Sequence, residues 1–318
     1  MRGEASILMV DALNLFTRHF VAHPAMGVNG NHLGGVVGFL GELRSLSTRF
    51  RPKRIYVVWE SGGSARRRAL YPEYKSHRRP EKLNRYYEDD IPQTVSDRNS
   101  QIVAIVKLLN HLPIVQMYGQ DCEADDVIAY ICRYMHPECL HIILSADKDY
   151  YQLIRDNSII YSPTWKKIVD TDEVISKFSI HPNNFALAKS VCGDDSDNIP
   201  GVQGVGFKTL AKRFPELGDA GDVLLDDFIT LSSQRRTGKV KIFDSICESE
   251  DLIRRNWKLV YLDSSSIPPQ QIEKIKFTNE KWAPRRDKIG FMREAQSIGI
   301  RNFDIDNMFY SVNHIGVE

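Results

Sequence analysis

The stretch "LHIILSADKDYYQL", residues 140–153, decides the fold. An apolar run ends in Asp147, and Asp149 follows where the chain turns helical. Short runs of this kind suit strands buried on both faces. The pattern recurs on either side. "ASILMVD" ends at Asp11, "RIYVVWE" ends at Glu60, "PIVQMY" (113–118) runs up to "CEADD", and "SIIYS" follows near Ile159. Helical periodicity fills 36–50, 99–111 and 124–135. Strands alternating with helices predict βαβ units, and therefore an α/β fold with a parallel sheet covered on both faces. No internal repeat is visible.

The acids are informative because of where they fall. Asp11, Glu60 and Asp147 each lie at or just past the carboxyl end of a predicted strand, where open α/β sheets form their sites. Glu123, Asp125 and Asp126 sit where the third strand hands over to a helix, and Asp147 with Asp149 does the same after the fourth. Any one cluster has a structural explanation, since helix N-termini favour acids and Asp starts turns. Several clusters on one sheet edge would repel one another and resist ionisation unless cations joined them. Carboxylate oxygens, with neither HExxH nor paired histidines nearby, point to Mg²⁺ or Mn²⁺ rather than zinc. Paired ions of that kind activate water and hold both oxygens of an in-line phosphoryl displacement, so phosphodiester hydrolysis is the expected chemistry.

A second stretch, "CGDDSDNIPGVQGVGFKTL" (192–210), sets Asp194, Asp195 and Asp197 beside a glycine-rich turn. Gly201 and Gly206 have the spacing of a Walker loop, but Phe207 stands at the lysine position. Gly204 and Gly206 open a dinucleotide fingerprint, but Thr209 replaces its third glycine. What remains is a helical approach (183–191), an acidic loop, the turn, and a helix carrying Lys208 and Lys212. Backbone N–H groups at such a turn and helix start can grip a nucleic-acid backbone without reading bases. A plain interhelical turn is the alternative.

With 318 residues, 42% hydrophobic and 26% charged, the chain has ample material for a folded core. The four-residue apolar run at 7–10 is too short for a signal peptide, and no run approaches a membrane span. Five scattered cysteines without CxxC read as reduced thiols, so a cytoplasmic setting is expected. The net charge of +1 hides segregation. Between 66 and 85 lie Arg66, Arg67, Arg68, Lys75, Arg78, Arg79, Lys82 and Arg85 against only Glu73 and Glu81. This is either a solvated face or a polyanion-binding segment. "SSQRRTGKVK" (232–241) reads as a basic loop near nucleic acid or a solvated turn. "NFDIDNMFYSV" (302–312) either packs on the core or docks a partner.

The segments "VDALNLFTR", "YPEYKSHR", "EADD", "SADKDYYQL" and "GDDSDNIPGVQGVGFKT" resemble, in order and spacing, the 5′-nucleases. These are the phage and bacterial 5′→3′ exonuclease/flap endonuclease group, with eukaryotic flap endonucleases more distant and T-even-type phage ribonuclease H as the nearest likeness. The match covers about 7–214. It implies a PIN-like nuclease core within 1–180, with a helical arch at about 62–98. It also implies a helix–three-turn–helix DNA-binding region within 181–318. By position, Asp11, Glu123, Asp125, Asp126, Asp147, Asp149, Asp194 and Asp197 match the family's metal ligands. Glu60 stands where relatives usually carry Asp, which puts the metal spacing in question. The resemblance implies two Mg²⁺ ions, and K⁺ held by backbone carbonyls of the 201–206 turn. Arg18, Lys75 and Arg78 match basic positions that engage the reacting strand. Tyr74 would stack on a base, and Arg79 belongs to the arch that admits a single-stranded 5′ end.

The expected function is removal of RNA primers and 5′ flaps in lagging-strand replication, with ribonuclease H activity on RNA paired to DNA. The protein would be a monomer whose partners are 5′-flap DNA, RNA–DNA hybrids, and a single-stranded-DNA-binding protein or other replisome component. Two other readings stand beside it: a non-catalytic duplex-binding relative, and a PIN-type ribonuclease for single-stranded RNA.

Overall fold

The computed structural model describes residues 5–77, 94–238 and 240–317. Its centre is a six-stranded sheet in the order β3-β2-β1-β4-β5-β6. The strands are β1 (Ser6–Asp11), β2 (Arg54–Ser61), β3 (Val115–Gln120), β4 (Leu140–Leu144), β5 (Ser158–Ser162) and β6 (Lys167–Val169). The first five are mutually parallel, and β6 folds back antiparallel on β5. The expected parallel sheet is present. The return strand β6 had no sequence signal, because three residues show no periodicity.

Side chains alternate across the sheet, and the core divides accordingly. Ile7, Met9, Tyr56, Val58, Met117, Ile143 and Ile160 point to one face. Leu8, Val10, Ile55, Val57, Ile142, Leu144 and Tyr161 point to the other. α1 (Ala12–Ala22), α2 (Gly34–Phe50) and α4 (Thr94–Leu109) cover the second face. α5 (Ala124–Tyr134) covers the first. It shares that face with the helical second half, including α6 (Thr171–Phe178), α7 (Phe185–Cys192) and α8 (Phe207–Arg213). The short α3 (Ala65–Leu70) follows β2.

The C-terminal segment packs on the core: Met308, Val312 and Ile315 are fully buried on the α2 side of the sheet. In the basic loop at 232–241, Arg235 pairs with Glu216, and Arg236 pairs with Asp244 and Glu248. No helix among the described residues is long and apolar enough to cross a membrane.

The strand order fixes where a site can form. From β1 the chain steps outward to β2 and β3, then returns to lay β4 on the other side of β1. The β1/β4 boundary is therefore a topological switch point, and its carboxyl end opens a crevice. Val10 lies opposite Leu144, so Asp11 and Asp147 flank that crevice. Asp11 lies opposite Val58, and Glu60 lies opposite Gly119, which brings Glu60 and Glu123 to the same edge.

Candidate active site

The acids at this edge fall into two sets. The first is Asp11, Glu60 and Asp147. Asp11 caps α1 by accepting the Asn14 N–H at 3.1 Å, and its other oxygen accepts the Tyr150 hydroxyl at 3.0 Å. Asp147 accepts the Asp149 N–H at 2.9 Å, and Glu60 accepts the Ala124 N–H at 3.4 Å. Among the described residues, no lysine or arginine pairs with any of the three. Burial pushes the Asp11 carboxyl up to about 7, and the charges of Glu60 and Asp147 add to that push against the lowering hydrogen bond from Asn14. Asp125, beside Asp126, is also held well above the usual carboxylate range, by burial first and then by its acidic neighbours.

The second set is threaded with cations. Arg67 is 1% exposed, and its guanidinium forks onto both oxygens of Asp126 at 2.7 and 2.8 Å. It also reaches Glu123 at 3.3 Å and Asp125 at 3.9 Å. Lys75 donates to Glu123 at 2.7 Å and lies 3.7 Å from Asp197. Lys189 is buried between Asp149 and Asp194, 2.5 Å from the latter. Burial opposes ionisation of Glu123, but Lys75 and Arg67 outweigh it and hold the carboxyl below its usual range. Lys189 does the same for Asp194, again against burial.

Local folding explains how these side chains meet. Glu123 and Asp126 form a capping box at the start of α5, each accepting the other's backbone N–H. Asp194 and Ile199 exchange two backbone hydrogen bonds, closing the acidic loop. That loop is tied to the chain after α3, because Lys75 N–H donates to the Asp197 carbonyl at 2.9 Å and the Asn198 amide donates to the Glu73 carbonyl at 2.9 Å.

Several expectations need correction. Tyr74 does not offer its ring to a base: it is 6% exposed, and its hydroxyl donates to Glu123 at 2.9 Å. The core claims the ring, which packs with Ile199, Leu259 and Val260. Asp126, read as a metal ligand, has both oxygens engaged by Arg67 and is the anchor of that arginine. Arg67, counted in the basic run, faces inward. Gly201 is needed for chain packing, since a Cβ there would lie 2.1 Å from the Cys192 carbonyl oxygen. Gly204, by contrast, has φ +76° and open space around it, as a tight exposed turn requires.

The remaining residues lie around the acids. Arg18, on α1, donates to the Thr164 hydroxyl at 2.9 Å. Gly206 caps α8, whose Lys208 and Lys212 are exposed. Arg78, Arg79, Lys82 and Arg85 lie outside the described residues.

Sequence reasoning missed Arg67, Lys189 and Tyr150 as parts of the site. Lys189 did leave a signal: it is the lone charge in the apolar run "FALAKSV", five residues before the acidic loop. Arg67 left none, because it is one of three adjacent arginines.

The donor set fits a hard divalent cation. Oxygens of Asp149, Asp194 and Asp197 lie within 4.8 Å of one another, and the Lys189 ammonium already sits between two of these side chains as a positive charge in their midst. All the candidate donors are carboxylates, the ligand class of Mg²⁺ and Mn²⁺.

The chain is similar to known proteins over much of its length. The chain is 28% identical over 223 residues to a 5′-3′ exonuclease of Aquifex aeolicus, covering 69% of this chain and 72% of that one. It is 29% identical over 291 residues to DNA polymerase I of Rhizobium leguminosarum, covering 86% of this chain but only 27% of the polymerase. The chain thus spans about a quarter of such polymerases. Among solved structures, the T5 5′-exonuclease with bound zinc superposes with a TM-score of 0.71 at 22% identity, covering 87% of this chain and all of that one. This likeness shows the fold. The family model described as "5'-3' exonuclease, N-terminal resolvase-like domain" matches residues 6–179, more than half of the sequence. The chain therefore belongs to the 5′-3′ exonuclease family that this domain defines.

Proposed function

We propose that the protein is a Mg²⁺-dependent 5′-nuclease that cleaves phosphodiesters at 5′ ends and flaps, of DNA or of RNA paired to DNA, in removing primers during lagging-strand replication. The observation that carries this reading is the convergence of Asp11, Glu60 and Asp147 with the Asp149/Asp194/Asp197 group at the switch-point edge of the sheet. We place the boundary between the nuclease core and the DNA-holding half near residue 180. A monomer in the cytoplasm, working beside a single-stranded-DNA-binding protein or other replisome component, completes the proposal.

The two acid sets would hold two Mg²⁺ ions, with Mn²⁺ as a substitute. When bound, such ions supply an activated water and stabilise the charge that develops on the phosphate. The protein's own residues do the rest. Arg67, buried and forked onto Asp126, fixes the start of α5 and with it Glu123 and Asp125. Lys189 keeps Asp194 ionised and holds it close to Asp149. Lys75 is the most exposed of the three cations, its side chain 20% accessible against 1% for Arg67 and 7% for Lys189. It reaches from Glu123 towards the phosphate being cut, joined by Arg78. Arg18 lines the approach from α1. The 201–206 turn, with Lys208 and Lys212, holds the duplex backbone, and its carbonyls are the place for K⁺.

The test is cleavage of a 5′-labelled flap beside a plain single strand, each with Mg²⁺ and with EDTA. Cutting of the flap with Mg²⁺ alone, well ahead of the single strand, is the expected result. Equal cutting of both strands, or none of either, would reject the proposal.

A further inference from the structure

The carboxyl edge of the sheet also carries one large aromatic that neither the core nor the acids explain. Trp165 stands in the turn between β5 and β6 and is 44% exposed, whereas Trp59 is 4% exposed in the core. The Lys177 ammonium lies 4.1 Å from the Trp165 ring centroid, and that of Lys167 lies at 5.7 Å. Lys167 also pairs with Glu173 at 2.5 Å. Among the described residues Lys177 makes no ion pair, and its ammonium faces the rings of Trp165 and Phe178.

The position of the ring is as informative as its exposure. On one side, Thr164 is hydrogen-bonded to Arg18, which ties the turn to the helix that Asp11 caps. On the other, Phe178, next in sequence to Lys177, packs against Phe207 with ring centroids 5.2 Å apart. Phe207 is the first residue of α8, which bears Lys208 and Lys212. Trp165 thus stands in a turn at the carboxyl edge that is bonded to α1 and whose lysine neighbour Lys177 precedes a residue packed on α8. An exposed indole flanked by amines matches what single-stranded nucleic acid binds, since any base can stack on the ring and the amines can meet the backbone.

We propose that Trp165 is a stacking platform for an unpaired nucleobase of the substrate, with Lys177 contacting the neighbouring phosphate. The inference rests on the nuclease reading and adds a residue that places the single strand. The alternative is a ring that only shields the stems of its lysine neighbours.

The test is binding of a 5′-flap oligonucleotide in EDTA, which keeps it uncut, followed by anisotropy of a labelled strand and by tryptophan emission. Wild-type emission should be quenched on saturation. Trp165→Phe should bind within about twofold of wild type yet lose the quenching, while Trp165→Ala should bind about 5- to 100-fold more weakly. One abasic nucleotide, scanned along the flap, should at a single position bring wild type and Trp165→Ala to equal affinity. Quenching that survives in Trp165→Phe would overturn the platform, and that variant keeps an aromatic ring in place should the alanine variant fold poorly. Wild-type affinity in a folded Trp165→Ala would overturn it as well. Flap cleavage with Mg²⁺ keeps the two claims apart: a wild type that cuts while Trp165→Ala binds normally sinks the platform alone, and a wild type that cuts nothing sinks the nuclease reading.

Discussion

Asp11, Glu60 and Asp147 share one edge of the sheet with Glu123, Asp149, Asp194 and Asp197, yet the two groups live in different electrostatic surroundings. The second group has internal counter-charges from Arg67, Lys75 and Lys189, which hold Glu123 and Asp194 ionised even where burial opposes it. Among the described residues, the first has only hydrogen bonds and one another, and burial drives Asp11 up to about 7. One half of the site is therefore assembled by the protein itself. The other has, among the described residues, no counter-charge until a cation binds.

The comparison can be broken most forcefully at Arg67. Replacing it with Met keeps the bulk but leaves buried Asp126 without its cation, while Glu123 keeps Lys75. Breaking a buried pair from one side costs about 3–5 kcal/mol, so urea unfolding should show a loss of that order. A Lys at 67 should recover only part of it, because the two-pronged contact with Asp126 is lost.

Asp11→Asn attacks the other half. Cleavage with Mg²⁺ should fall at least about 100-fold, since a charge aimed at the metal is gone. The metal-free protein should nevertheless be no less stable than wild type, because mutual repulsion among the three acids is relieved. Unfolding in EDTA beside single-turnover cleavage reads both effects.

A third prediction concerns pH. The Asp11 carboxyl is raised on folding from an ordinary value of 3.8 to about 7, so between these values the folded chain binds the extra proton. Stability of the metal-free protein should then fall as pH rises through that window, the sign required when the folded state holds more protons. Urea midpoints in EDTA at several pH values check this, and Mg²⁺ should flatten the decline. A decline that Mg²⁺ leaves untouched would place its origin elsewhere.

The smallest effect belongs to the duplex grip. Lys208→Ala should lower the magnitude of the salt slope of duplex binding by about one unit and leave the saturated cleavage rate near wild type. A reduced saturated rate with normal binding would mean that holding and cutting are not separable here.

What could be read from sequence follows the same division. Strands β1, β2, β4 and β5 are visible because each is an apolar run buried on both faces, and the acids at their ends mark the active edge. The glycine turn shows in its spacing, although only the structure distinguishes Gly201, forced by chain packing, from Gly204, forced by its positive φ. The counter-charges were hidden. Nothing in "RRRALYPEYK" says that the middle arginine turns inward or that Tyr74 is buried over the acids, because burial of a charge depends on partners distant in sequence. Trp165 was passed over for the opposite reason: an exposed aromatic in a turn has no periodicity to betray it.

The most direct measurement of the central claim is the shift in unfolding midpoint on adding saturating Mg²⁺, compared between wild type and Asp11→Asn. Ligand at a hundredfold excess over its Kd stabilises the folded state by about 2.7 kcal/mol. The account predicts a shift of at least that order for wild type and a smaller one for Asp11→Asn, which keeps only the ion of the second set. Equal shifts in the two proteins would show that Asp11, Glu60 and Asp147 do not take up a cation, and would contradict the division of the site into a half with internal counter-charges and a half without them.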